Sequence, residues 1–176
     1  MINKDLLNKM FEYRDGNLYR KISLGRTKVG YKVGFVNNKG YLSVNINKKN
    51  LLVHRLIWMM HFDEFPSLLD HIDGNRQNNN IENLRIATRN QNAHNKSINK
   101  NNTSGVKGVC WHKHTKKWNA QIWHNKKHYH LGLYDSLQKA KEVVMNTRNI
   151  LHGEFANHGI NDLKARIETL EGAKIG

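Results

Sequence analysis

Asp70, His71, Asp73, Asn83 and Asn92 fall in one stretch of the chain that reads LLDHIDGNRQNNNIENLRIATRNQNAHN. Asp70 and His71 offer a carboxylate and an imidazole side by side, and an amide oxygen follows about one hairpin later. With the strand that carries Asp70 packed on the helix that carries Asn92, the two oxygens meet from the two arms of the unit. Two oxygen ligands with the remaining positions open suit one Mg2+ or Mn2+ ion, whose shell phosphate and water complete. His71 alternates to the other side of the strand from Asp70, so it faces the reacting phosphate and not the metal. A neutral imidazole in that place takes a proton from an attacking water, because its unperturbed pKa lies near neutrality. The metal would stabilise the leaving oxygen and the charge of the transition state. His94 is a further ligand or phosphate contact to consider.

The elements that must position these groups follow from pattern. Leu68–Ile72 is a short extended segment, Gly74-Asn75 a turn, Ile81–Ile86 a returning strand and Ala87–Asn95 a short helix capped by Thr88. The order is strand, loop, strand, helix. Upstream, His54–Phe62 is almost continuously apolar and reads as a buried helix stopped before the lone Pro66. His54, Arg55 and His61 on that helix read as packing or phosphate contacts and not as catalytic groups. Nearer the N-terminus, Leu6, Leu7, Met10 and Phe11 recur at helical spacing. Leu18–Ile22, Val33–Val36, Tyr41–Ile46 and Leu51–Val53 are short β-prone runs.

Charge points to a polyanionic partner. The chain has 176 residues and a net charge of +15, from 29 Lys+Arg against 14 Asp+Glu. No carboxylate occurs between Glu82 and Asp135, whereas Arg85, Arg89, Lys96, Lys100, Lys107, Lys113, Lys116, Lys117, Lys126 and Lys127 do. Such a strip cannot neutralise itself, and phosphate is its natural counter-charge. Asp70, Asp73 and Glu82, just ahead of it, would repel a phosphate backbone unless a cation bridges them, which is a second sign of a metal. The single Cys110 excludes an internal disulfide framework and a multi-cysteine zinc site. No apolar run approaches the roughly 18 residues of a membrane span, and Met1–Leu18 carries charges throughout. The expectation is a soluble intracellular protein without a cleaved secretion signal.

Beyond the polar stretch SINKNNTS, which reads as a linker, the pattern changes. Val106–Trp111, Trp118–Trp123 and His128–Tyr134 are three β-prone runs, and Trp118, Ala120 and Ile122 alternate with polar residues as a half-buried strand requires. Ser136 caps a helix whose apolar face carries Ala140, Val143, Val144, Thr147, Ile150 and Leu151, with Gly153 just past its end. Three antiparallel strands and one helix make a small α+β module. Asn161–Leu170 is a further helix to expect in the tail.

The stretch from Leu68 to Asn95, with VHRLIWMMHF before it, resembles the ββα-metal motif of HNH endonucleases, particularly the phage and intron homing branch. The resemblance implies His71 as general base, Asp70 and Asn92 as ligands of one divalent metal, and Asn83 as the residue that pins the loop so that His71 is aimed. Asn92 stands where colicin-like members have histidine, which favours Mg2+ or Mn2+ over zinc. The later run SGVKGVCWHKHTKKWNAQIWHNKKHYHLGLYDSLQKAKEVV resembles the plant ethylene-response-factor-type (APETALA-type) DNA-binding domain, whose sheet lies in the major groove. That resemblance puts Lys107, His112, Lys113, Asn119, Gln121, Trp123, His128 and His130 on or near the DNA face, and Trp118, Ala120, Ile122 and Leu131 toward the helix. Cys110, His112, His128 and His130 replace arginines of the plant family, which implies weaker direct reading of guanine. Arg85 and Arg89 join the DNA contacts from the nuclease side.

The expected fold is α+β: an HNH core with small N-terminal β elements, then a three-stranded sheet plus helix. Residues 1–52 form an accessory region, 53–97 the nuclease core, 98–104 the linker, 105–157 the DNA-binding module and 158–176 a tail. The expected function is metal-dependent hydrolysis of phosphodiesters in double-stranded DNA in the cytoplasm of a phage-infected host, by a monomer that nicks or a homodimer that cuts both strands. A non-catalytic DNA-binding regulator with a degenerate nuclease fold is the alternative, and an RNA-acting protein is a weaker third.

Overall fold

The computed structural model describes residues 2–23 and 28–159. The chain divides into two compact units, Met1–Ala87 and Thr88–Gly176. Both mix helices with antiparallel strands, so the α+β class holds. The helix expected at Asn161–Leu170 lies outside the described residues.

In the first unit, α1 (Lys4–Met10) leads into the hairpin β1 (Phe11–Arg14) and β2 (Asn17–Arg20). A three-stranded sheet follows, from β3 (Phe35–Val36), β4 (Leu42–Ile46) and β5 (Lys49–Leu52). The β1–β2 turn at Asp15-Gly16 and the β4–β5 turn at Asn47-Lys48 both have positive φ at their two central residues. Two-residue turns of this hand match the twist of the strands they join. α2 (Val53–Phe62) runs directly out of β5 and ends with Asp63 left-handed at φ 55°, ahead of Pro66. Val53, Leu56 and Ile57 are fully buried and join Leu7, Phe11, Leu18, Val44 and Ile46 in one core. Each such side chain contributes about 1.5–3 kcal/mol of burial. The segment before residue 53 therefore shares its core with the start of the motif and is not a separate accessory region.

The motif itself supplies β6 (Leu69–His71), a single 3₁₀ turn at Ile81–Asn83 and β7 (Leu84–Ile86). The returning strand is thus shorter than expected. Asn83 turns its side chain into the loop, which alternation in a ladder would not allow at that point, and the strand begins one residue later.

The second unit opens with α3 (Arg89–His94), whose Thr88 N-cap and Gln91 form a complete capping box. The sheet has the order β10-β9-β8, from β8 (Val109–His112), β9 (Lys117–His124) and β10 (Lys127–Tyr134), with a bulge between His130 and Gly132. α4 (Leu137–His152) packs on one face through Ala140 and Val144 against Val109 and Ala120, flanked by Trp118, Leu131 and Leu137. The expected apolar face of α4 needs correction. Ile150 is 82% exposed, and the buried stripe Ala140–Val144 continues at helical spacing into Arg148, which is 2% exposed. The Arg148 guanidinium donates to the Lys107 carbonyl at 2.6 Å and to Nδ1 of His158 at 3.0 Å, and burial lowers its pKa to about 10.

Residues 98–104 lie within the second unit and do not divide two units. The reason is that both flanks are tied together. Nζ of Lys107 donates to the carbonyls of His94, Lys96 and Asn157, and Nδ2 of Asn157 donates to the carbonyl of Asn95 at 2.7 Å. Gly108 keeps this corner tight: with φ +84°, a Cβ there would sit 2.6 Å from the Gln121 carbonyl oxygen and 2.9 Å from Val144. Among the described residues no helix is long and apolar enough to cross a membrane.

Candidate functional site

The antiparallel pairing of β6 and β7 sets Asp70 opposite Arg85 and His71 opposite Leu84. Directly paired residues in a ladder stand close enough for their side chains to interact. Nε and Nη2 of Arg85 donate to Oδ2 of Asp70 at 3.0 and 2.9 Å, an ion pair with both groups largely shielded from solvent. Arg85, expected at the DNA, is therefore engaged with the carboxylate of the motif. A carboxylate this buried needs cationic or hydrogen-bonding partners to remain ionised.

The loop between the two strands is held by amides. The backbone N–H of Asp73 donates to Oδ1 of Asn83 at 3.0 Å, and Nδ2 of Asn83 donates back to Oδ1 of Asp73 at 3.0 Å and to the Asn78 carbonyl at 2.7 Å. The Asn75 N–H and Nδ2 of Asn78 complete the shell of the Asp73 carboxylate, each at 2.7 Å. Asp73 is thus saturated by donors from its own loop and serves as its anchor. The backbone continues the lock, with the Ile72 N–H on the Asn83 carbonyl at 2.8 Å. From outside, the β1–β2 hairpin presses on the same loop. The Ile81 N–H donates to the Tyr13 hydroxyl at 3.1 Å, and a Cβ on Gly16 would meet the Asn80 nitrogen at 2.7 Å.

This closure delivers Asn79 to His71. Nε2 of His71 lies 2.9 Å from Oδ1 of Asn79, so that ring nitrogen carries the proton and Nδ1 is the accepting one. Nδ2 of the same amide is buried without a hydrogen-bond partner. Burial pushes the His71 pKa below the ordinary imidazole value, opposed by the Asn79 hydrogen bond and the carboxylates of Asp73 and Asp70. His54 packs on it edge to face, ring centroids 4.9 Å apart, and Tyr41 lies 5.4 Å from His54. Burial, reinforced by His71 and Arg55, holds His54 down at about 3. Asn79 was not singled out from the sequence, where it is hidden in the run Asn78-Asn79-Asn80; its signal is that run, a turn away from the histidine.

Asp70, His71 and Asn83 are brought together in the first unit. Asn92 sits on α3 in the second unit, partly buried, two residues from His94; at that spacing the two side chains leave the helix on nearly opposite sides. Arg89 is exposed at the start of the same helix.

On the second unit, register sorts the remaining residues. Pairing of Trp123 with His128, Gln121 with His130 and Asn119 with Cys110 places these six on the face away from α4, along with His112, which pairs with Lys117. Nε2 of His128 bonds Oε1 of Gln121 at 2.8 Å, and the rings of Trp123 and His128 lie 5.0 Å apart. Trp123 is 63% exposed. Lys113 is exposed in the β8–β9 turn. Lys107 does not join this face, because its ammonium is spent on the three carbonyls already named. Trp111 shares the parity of the buried Val109 yet is exposed, edge-on to Trp118 at 4.9 Å.

Comparison with known proteins matches residues 51–94 to the family described as HNH endonuclease. The chain is 38% identical over 105 residues to protein 3.8 of Escherichia phage T7, an alignment spanning 58% of this chain and 86% of the relative. It is 28% identical over 138 residues to an uncharacterized HNH endonuclease of Acanthamoeba polyphaga mimivirus, spanning 77% of this chain and 71% of that protein. No solved structure matches significantly.

The depressed pKa of His54 has a consequence for stability. The unfolded chain binds a proton on this ring near 6.5, whereas the folded chain resists it down to about 3. The contribution to stability is full above pH 6.5 and is lost as pH falls toward 3. His54→Leu is expected to flatten the fall in urea stability across this window, with His71 retaining a part of the same sign. An acid titration superimposable on that of the wild type would refute this assignment.

Proposed function

The chain belongs to the family of protein 3.8 of Escherichia phage T7 and carries an HNH endonuclease domain at residues 51–94, and from this premise we propose that it is a divalent-metal-dependent, homing-type endonuclease that hydrolyses phosphodiester bonds in double-stranded DNA. The observation that carries the proposal is the buried, amide-oriented imidazole of His71 beside the buried carboxylate of Asp70.

In this mechanism Asn79 fixes the tautomer of His71 through Nε2, and Nδ1 accepts the proton of the attacking water. Asn83 acts through Asp73 and the loop, so it is a positioning residue. The donor set fits a hard cation: a buried carboxylate on Asp70 and an amide oxygen on Asn92, with no thiolate. Asp70 and Asn92 would hold one Mg2+ or Mn2+ ion, which supplies charge stabilisation to the transition state when bound. Arg85 balances Asp70 in the present arrangement, and a divalent charge on that carboxylate would turn its guanidinium toward phosphate.

The second unit is the reader in this proposal, an ethylene-response-factor-type DNA-binding domain with the open face of β8–β10 in the major groove. His112, Asn119, Gln121, Trp123, His128 and His130 would meet base edges, and Lys113 and Arg89 phosphates. One active site per chain makes a monomer a nicking enzyme, and a homodimer would be needed to cut both strands. The viral origin of the relatives fits action in the cytoplasm of an infected host.

Incubation with supercoiled plasmid tests the chemistry. Wild type is expected to yield nicked circles with Mg2+ or Mn2+ and none in EDTA, and His71→Ala is expected to nick about 100- to 10,000-fold more slowly, the usual worth of a general base. A wild type that binds DNA and cuts none with either metal would leave only the regulator. For the second unit, Gln121→Ala combined with His128→Ala is expected to weaken duplex binding of the intact protein; unchanged affinity would remove this face from the DNA interface.

A further inference from the structure

His94, His124 and His152 come together within the second unit although they are far apart in sequence. They come from the last turn of α3, the end of β9 and the last turn of α4. Each offers a ring nitrogen, and these atoms all lie within 4.8 Å of one another. His94 and His152 stack in parallel, centroids 3.7 Å apart and planes 2° apart, with His124 5.4 and 5.5 Å away at 23° and 22°. Neutral imidazoles gain little by such stacking, and here it leaves polar atoms without partners. Nδ1 of His124 and Nδ1 of His152 are both buried and make no hydrogen bond. An unsatisfied buried nitrogen carries a desolvation cost of about 1–3 kcal/mol, so two within one cluster need an explanation.

The opposite edge of the His152 ring is arranged as a metal ligand requires. Nε2 of His152 donates to the Trp123 carbonyl at 3.3 Å, which leaves Nδ1 with the lone pair. A ligating histidine usually donates its second N–H in just this manner. Nδ2 of Asn125 lies 2.9 Å from Nε2 of His124 and donates to it as placed; only the reversed amide, with its oxygen toward the ring, would accept an N–H there. Access is open, because His94 and His152 line a cleft of about 580 Å3. Lys107 and Arg148 line the same cleft, but their cationic groups are turned to backbone carbonyls, Lys107 to those of His94, Lys96 and Asn157 and Arg148 to that of Lys107.

We propose that His94, His124 and His152 form a Zn2+ site, separate from the Asp70–Asn92 pair, that staples the C-terminal end of α3 to β9 and α4. Three imidazoles and one water make the common tetrahedral shell of Zn2+, and oxygen-preferring Mg2+ is a poor competitor for it. Closing the nitrogens to roughly 3.3 Å, as Zn–N bonds of about 2.0–2.1 Å require, takes ring rotation that breaks the stack. The staple has a clear purpose. α3 buries none of its own residues, so such a short helix is held by what grips its C-terminal end, and it carries Asn92.

Full-length protein stripped with EDTA and dialysed is titrated with ZnCl2 by calorimetry and by thermal melting. Wild type is expected to bind one Zn2+ per chain at this site with a rise in Tm, and Asp70→Asn is expected to keep both. His124→Ala and His152→Ala are each expected to lose more than the roughly 10- to 100-fold in affinity that removing an outer-shell partner costs. No binding by wild type, or undiminished binding by His152→Ala, overturns the proposal. Should either variant fail to fold, 15N imidazole spectra of wild type decide: Zn2+ is expected to shift the ring nitrogens of these three histidines, and shifts confined to others overturn it.

Discussion

A buried carboxylate either finds donors or draws its loop out to water, and Asp73 finds them all within its own loop. Asn75, Asn78 and Asn83 supply them, while the Asp73 amide returns a hydrogen bond to Asn83. Hydrogen bonds to a charged acceptor are roughly twice as strong as neutral ones, so the return from β6 to β7 has one well-defined path. That path decides where Asn79 lies, and Asn79 decides which nitrogen of His71 accepts a proton. The β1–β2 hairpin is part of the same construction, since Tyr13 and Gly16 bear on the loop from outside. The chemistry therefore rests on a polar lock backed by the hydrophobic core around α2.

The charge of the chain reads differently once its cations are placed. Arg85 is bound to Asp70, Lys107 and Arg148 are spent on backbone carbonyls, and Lys117 pairs with Asp135 at 3.1 Å. Within the strip between Glu82 and Asp135, Arg85, Lys107 and Lys117 are thus engaged inside the protein, whereas Arg89, Lys96, Lys100, Lys113, Lys116, Lys126 and Lys127 are exposed. What the second unit offers on its open face is mainly polar and aromatic: Asn119, Gln121, Trp123, His128 and His130.

Legibility in the sequence followed the range of the interaction. The Thr88 cap, the buried helix expected at His54–Phe62 and found at Val53–Phe62, and the alternation of Trp118, Ala120 and Ile122 are local patterns, and each stands within a residue of where it was expected. Asp70, His71 and Asn83 were singled out because their spacing is part of the motif, although Asn83 lies in a 3₁₀ turn and not on the strand expected there. Asn79, Arg148 and the second role of Lys107 were not. Each depends on a partner brought near by tertiary packing, and its residue type gives no hint of burial. The histidine trio lies between these cases. His124 continues the even-numbered, helix-facing positions of β9 and was readable to that extent, whereas its meeting with His94 and His152 required the fold.

The claim on which the rest turns is that Nδ1 of His71 is the proton acceptor in phosphodiester hydrolysis. Chemical rescue tests it most directly: single-turnover nicking by His71→Ala in Mg2+, with and without free imidazole, in protein whose fold has been verified by circular dichroism. The expected result is a slow basal rate raised in a saturable way by imidazole, tracking its neutral form as pH is varied. Nicking by His71→Ala at the wild-type rate, or a slow rate that imidazole leaves unchanged, would contradict it.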